Sequence, residues 1–196
     1  VPLLGGHHGA NDLARKIADA VQGHAAITTA GDLRFGVALD APPEGYTLVN
    51  PEAAKDIMAR LVAGEACSLV GKADWLTTSG LPFSHDSAIQ LVVSNRARRS
   101  NVNTLHYAPV TLALGIGCER GADAQEVIDL ALFALSENKL EPKSVAGIFS
   151  IDLKADEAAL SAVAAYFGVP LRVFDAATLE REAPRLVNPS DVVFAE

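Results

Sequence analysis

The sequence predicts an α/β protein in three parts, closed by a compact α/β domain with a mainly parallel sheet. Three observations carry this expectation. Apolar runs at residues 110–116, 145–150 and 169–174 alternate with segments of helical period, the pattern of parallel strands covered by helices. Residues 1–28 read as strand, helix, strand, which implies a parallel pair and the Rossmann-like end of an N-terminal domain. Between these lies a stretch, residues 66–93, that is strand-like but broken by turns, consistent with a small α+β middle domain. The expected domains are residues 1–40, 41–103 and 104–196.

Each element has a local reason. The apolar run at residues 1–4 enters a loop of glycine and histidine. Residues 11–21 place Leu13, Ile17, Ala20 and Val21 on one stripe and Asp12, Arg15, Lys16 and Asp19 on the other, so they read as a helix. Residues 25–28 read as a short strand, 29–32 as a loop of small polar residues, 34–40 as a short extended piece and 41–45 as a turn. Asn50 before Pro51 reads as an N-cap with proline in the first turn, opening a helix that carries Ala54, Ile57, Met58, Leu61 and Val62 and stops at Gly64. Residues 67–70, 75–79 and 89–93 are expected strands, and the polar segment 96–103, with Arg96, Arg98 and Arg99, is the expected linker. Asp123 and Glu126 have capping-box spacing ahead of a helix whose inner face is Val127, Ile128, Ala131, Leu132 and Leu135. Residues 156–167 form a second helix closed by Gly168, residues 176–182 a short third, and residues 192–195 a fourth strand.

Composition narrows the functional classes. The chain is 49% hydrophobic and 20% charged over 196 residues, ordinary for a globular protein. It holds no apolar stretch of the ~18 residues a membrane helix needs. A net charge of −8 argues against sequence-independent nucleic-acid binding. Cys67 and Cys118 lack metal or CxxC spacing, so reduced thiols and a cytoplasmic location are expected. Strands at both extreme ends, with Met58 the only methionine, suggest a fragment of a longer polypeptide; a cleaved N-terminus is the alternative.

Three junctions can carry chemistry. In Gly5-Gly6-His7-His8-Gly9-Ala10-Asn11, a glycine loop before a helix can aim N–H groups at an anion, with a histidine beside it for proton transfer. Adjacent histidines in extended chain point to opposite faces, which makes them a poor chelate for one metal; a backbone-bonded loop histidine is the bland alternative. Gly115-Ile116-Gly117-Cys118-Glu119-Arg120-Gly121 misses the dinucleotide fingerprint because its third glycine comes one residue late, so NAD binding is rejected. Its N–H groups and Arg120 can still meet a carboxylate, and Cys118 is either a thiol at a helix entrance or, preferably, a small residue in a tight turn. In the stretch from Ser150 to Glu157, Asp152 and Lys154 are free to act while Asp156 or Glu157 caps the next helix. Ligands of parallel α/β sheets sit beyond the carboxyl ends of the strands, so residues 117–120 and 150–154 should meet.

Together with Ile27-Thr28-Thr29-Ala30 and Asn188-Pro189-Ser190, these stretches resemble the CbiG family of cobalamin (vitamin B12) biosynthesis, in order and over nearly the whole chain. The resemblance implies a cobalt-precorrin-5A hydrolase, which opens a ring-A lactone and releases acetaldehyde to give cobalt-precorrin-5B. On that reading His7, His8 and Asp152 are the candidate acid–base groups. Gly5, Gly6, Asn11, Thr28, Thr29, Gly115, Gly117, Cys118, Arg120, Ser150 and Lys154 are the candidate substrate contacts. It implies no protein metal and no cofactor, cobalt arriving inside the tetrapyrrole substrate. A fused or associated precorrin methyltransferase is a possible partner, whereas nucleic acid and membrane are not expected. Because the substrate is polyanionic, a basic patch drawn from Lys72, Arg96, Arg98, Arg99, Arg120 and Lys154 is expected. The C-terminal part also resembles the small CobE proteins, which implies the alternative of a non-catalytic carrier of a corrinoid intermediate.

Overall fold

A computed structural model describes residues 10–27 and 29–187, which divide into two compact units with the division between Val110 and Thr111. The first unit runs α1 (Ala10–Ala20), α2 (Ala30–Phe35), β1 (Tyr46–Leu48), a 3-10 turn (Pro51–Ala53) leading into α3 (Ala54–Val62), β2 (Cys67–Val70), α4 (Asp74–Thr77), β3 (Ile89–Val93) and β4 (Thr104–Pro109). Its sheet has the order β1-β4-β3-β2, with β2, β3 and β4 parallel and β1 antiparallel at one edge.

Strand alternation gives this sheet two unlike faces. The register pairs Leu91 with Leu105 and Val93 with Tyr107 on one face, and Gln90 with Thr104 and Val92 with His106 on the other. The first face packs on Ile57, Met58 and Leu61 of α3, all fully buried. Tyr107 is buried among them and donates its hydroxyl to the Leu39 carbonyl at 2.8 Å, with Trp75 edge-on at 5.1 Å. Burial pushes the Tyr107 phenol well above its usual range.

Several local expectations are corrected here. Residues 29–32 are not a loop and 34–35 not extended, because α2 begins at Ala30 and its Phe35, with Val37 and Leu39 after it, enters the same core as the sheet. Both sides of residue 40 thus belong to the same compact unit. Residues 75–79 hold a helical turn in place of a strand. The hydroxyls of Thr77 and Thr78 donate to the Asp74 carbonyl and that of Ser79 to the Leu76 carbonyl, partners that only a helical turn brings within reach. Residues 96–103 connect β3 to β4 inside the first unit. The C-terminal unit begins at Thr111 and not at residue 104, since β4 is an inner strand of the first sheet. Ala25, Ala26 and Ile27 pair with no strand among the described residues; their expected partner, residues 1–4, lies outside them.

The second unit follows its sequence pattern closely: β5 (Leu112–Gly115), α5 (Ala124–Glu137), β6 (Val145–Ile151), α6 (Ala158–Phe167), β7 (Leu171–Phe174) and α7 (Ala176–Glu180). The three strands are parallel in the order β5-β6-β7. Leu114, Ile148 and Leu171 lie on the face that packs against Val127, Ile128 and Leu135 of α5 and Val163 of α6. Asp123 caps α5 by accepting from the N–H groups of Gln125 and Glu126, and Gly168, at φ 66°, ends α6 in the left-handed conformation. The expected strand 192–195 lies outside the described residues. No helix among them is long and apolar enough to cross a membrane.

Candidate functional site

The best-defined candidate lies in the second unit, beyond the carboxyl ends of β5 and β6. Parallel strands end at one edge, so the loops that follow them are neighbours. The backbone continues the pairing past β5, with Ile116 N–H donating to the Phe149 carbonyl at 2.9 Å. Ser150 then ties the two loops together, its buried hydroxyl donating to the Ile116 carbonyl at 2.8 Å. Arg120 reaches across, donating to Asp156 Oδ1 at 2.6 Å and to the Leu153 carbonyl. Gly121 N–H points at both carboxylate oxygens of buried Glu157, at 3.2 and 3.3 Å.

The two junctions therefore meet, and the contacts say how. The loop N–H expected to receive a ligand carboxylate at Gly121 already holds one from this chain. Neither Asp156 nor Glu157 caps α6 with its side chain: Glu157 occupies the N-cap position but turns to Gly121, and Asp156 pairs with Arg120. A cavity of about 320 Å³ remains, lined by Gly117, Cys118, Arg120, Ala122 and Leu130 among others. A Cβ on Gly117 would meet nothing within 4 Å, so the backbone on that wall is uncrowded. Asp152 and Lys154 flank Leu153 in the 3-10 turn after β6, Asp152 exposed and Lys154 half-buried.

The Arg120–Asp156 pair is exposed, with side chains 58% and 78% accessible, and such pairs contribute little. Its trace should still be visible in acid. The hydrogen bond from Arg120 holds the Asp156 carboxyl below its usual 3.8. Its contribution is therefore complete above that pH and lost as pH falls through the lowered value. Asp156→Asn is expected to lower stability slightly at pH 7 and to flatten the acid limb of a stability–pH curve below about 4 by the same small amount. Urea midpoints of both proteins across pH 2–7 check this.

Of the N-terminal candidates, Gly5, Gly6, His7, His8 and Thr28 lie outside the described residues. Asn11 and Thr29 are brought together, Asn11 Nδ2 donating to Thr29 Oγ1 at 2.7 Å. The expected basic residues fall in different units, with Lys72, Arg96, Arg98 and Arg99 in the first and Arg120 and Lys154 in the second. Arg98 and Arg99 line a cavity with His106, Asn50 and Thr104 on the polar face of the first sheet. Sequence reasoning missed His106, although one polar ring inside the apolar run of β4 was a visible signal. It took Asn50 for a cap, but the side chain makes no cap hydrogen bond and bonds β4 instead. The Cys67 thiol is buried on the core side and is pushed up to about 11 by burial, while Cys118 is half-buried at the cavity. No cluster of three or more potential metal ligands occurs among the described residues.

Comparison with known proteins sets this geometry in context. Residues 1–32 match the family model described as Cobalamin synthesis G N-terminal, and residues 112–196 match Cobalamin synthesis G C-terminus. The protein CobE of Sinorhizobium sp is 50% identical over 84 residues, covering 43% of this chain and 54% of that protein. The cobalt-precorrin-5A hydrolase of Priestia megaterium is 29% identical over 218 aligned positions, covering 99% of this chain and 58% of the relative. The chain thus spans a little over half the length of these curated relatives. Among solved structures, that of a CobE protein of the cobalamin (vitamin B12) pathway matches 43% of this chain and 59% of its own, at 33% identity and TM-score 0.41. A cobalamin biosynthesis protein G homolog from Sulfolobus solfataricus matches 95% of this chain and 55% of its own, at 23% identity and TM-score 0.31.

Proposed function

We propose, for a chain that belongs at both its ends to the cobalamin synthesis G (CbiG) family and hence to cobalamin biosynthesis, the activity of a cobalt-precorrin-5A hydrolase. The likeness to such a hydrolase over 99% of the chain carries this reading. The loop junction at Gly117 and Ser150 supports it, since the Ser150 hydroxyl ties the two loops together there and the first of them lines a cavity with α5. Lactone opening needs an activated water and a stabilised oxyanion, and loss of the bridge carbon as acetaldehyde needs an acid–base group for carbon–carbon cleavage. His7 or His8 is the proposed base, with Asp152 as a second proton-transfer candidate. Gly117 N–H is the proposed oxyanion donor in this loop, because the Ile116 and Gly121 N–H groups are already engaged. Cobalt enters with the substrate. A precorrin methyltransferase, fused or associated, is the proposed partner.

One observation favours a second reading. The 50% identity to CobE covers the C-terminal region alone, and there Arg120, Ser150 and Glu157 hold the loops to each other. That suits a module that holds a corrinoid intermediate without transforming it.

Acetaldehyde separates the two. With cobalt-precorrin-5A, the hydrolase reading expects stoichiometric acetaldehyde and its loss in the His7→Ala/His8→Ala double variant. Saturable binding of the tetrapyrrole with no acetaldehyde supports the carrier. Full turnover in the double variant removes the histidines from the mechanism.

A further inference from the structure

The first unit carries a cavity, walled by Arg98 and Arg99 of the expected basic patch, to which the hydrolase reading assigns no step. Parallel strands are joined by crossovers that ordinarily place a helix over one face of the sheet. The β3-to-β4 crossover has no helix among residues 94–103, and the face it spans is polar: Gln90 beside Thr104, and Val92 beside His106. Arg98, Arg99, Ser100 and Asn101 of this connection enclose a cavity of about 250 Å³ against that face. No carboxylate lines it among the described residues.

The walls are built rather than incidental. Of the four buried polar side chains described in this unit, three line the cavity: Asn50, Thr104 and His106, each at most 7% exposed. His106 Nε2 lies 2.8 Å from the Ser94 carbonyl, which can only accept, so this nitrogen carries the proton. That bond fixes the ring, and no partner of its other nitrogen occurs among the described residues. Asn50 fixes the backbone beneath it by bonding both Thr104 and His106. Arg98 and Arg99 have no hydrogen-bond or ion-pair partner among the described residues. By contrast, Arg60, Arg120 and Arg185 are each paired with an acidic side chain. Both guanidiniums are exposed and have no carboxylate beside them among the described residues, so they are available to an external anion.

We propose that this cavity binds an oxyanion, a carboxylate or phosphate group, held by Arg98 and Arg99 above the His106 floor. Guanidinium forks match either group in two-point geometry, and Ser100 and Gln90 add neutral donors at the rim. The cavity lies wholly within the first unit, so its occupancy does not depend on the hydrolase reading.

Titration of the 196-residue chain with inorganic phosphate and separately with propionate, followed by amide shifts in two-dimensional NMR, tests it. Saturable shifts at Gln90, Ser100 and His106 are expected with at least one probe. The Arg98→Gln/Arg99→Gln double variant is expected to weaken that affinity at least ~10-fold. Arg96→Gln, in the same connection but outside the cavity, is expected to leave it unchanged. Saturation by propionate alone identifies a carboxylate site, and by phosphate alone a phosphate site. No saturation with either probe overturns the proposal. So do equal binding in the double variant and an equal loss in Arg96→Gln, which would mark diffuse charge attraction only.

Discussion

Asn50→Ala is expected to destabilise the first unit by about 2–4 kcal/mol, the largest effect of any single polar side chain in it. Asn50 is 2% exposed and sits where β1 has ended but β4 still presents backbone groups. Val49 N–H donates to the His106 carbonyl as the last main-chain contact. From there the Asn50 side chain takes over: its Nδ2 donates to the Thr104 carbonyl at 2.6 Å and its Oδ1 accepts from His106 N–H at 2.9 Å. A carboxamide has the donor and acceptor of a peptide group, so it extends the ladder by one unit after the chain has turned into Pro51. Alanine would leave a buried N–H and a buried carbonyl without partners, and each costs about 1–3 kcal/mol. Asn101→Ala is the comparison. Asn101 accepts from Asn103 N–H and Thr104 Oγ1 but is exposed, so water replaces it and the expected loss is below about 1 kcal/mol. Urea unfolding read by Trp75 fluorescence measures both, and equal losses would sink the ladder argument.

Gly71→Ala is expected to cost about 3–4 kcal/mol and Gly64→Ala only about 1, although both glycines have positive φ. Gly71, at φ 100°, follows β2, and a Cβ there would lie 2.3 Å from the Val93 carbonyl oxygen. That atom is backbone at the end of β3 and cannot rotate away. Relief would require moving β3 from β2, where Val70 pairs with Val92. It would also disturb the adjoining Ser94, whose carbonyl holds the His106 ring. Gly64, at φ 107°, has nothing within 4 Å of its Cβ position, so only backbone strain remains. Matched unfolding curves of the two variants isolate the clash from the strain. If Gly71→Ala also loses anion binding at the Arg98–Arg99 cavity while still folded, the end of β3 and the cavity floor act as one piece.

Legibility differed between the halves for a physical reason. From residue 111 onward each strand is followed by a helix in sequence, and each helix packs on the strands it joins. Local period, the Asp123 cap and the Gly168 stop therefore carried enough information to order β5, α5, β6, α6 and β7 without knowledge of distant residues. In the first unit the deciding contacts span long separations. Tyr107 reaches Leu39 across 68 positions, and Asn50 reaches His106 across 56. No local window shows that residues 96–103 lie over a sheet face, or that β4 pairs with β3 rather than with β5.

By itself, then, the sequence determined the α/β class, the parallel C-terminal sheet, and the meeting of the Gly117 and Ser150 loops, because parallel strands must end at one edge. Tertiary structure alone decided which groups those loops leave available. Arg120 can answer an external carboxylate or Asp156, and Gly121 N–H a ligand or Glu157. Charge type and spacing are the same in both cases. The choice rests on distances of 2.6 to 3.3 Å set by how α6 packs on β6, and only the folded chain contains them.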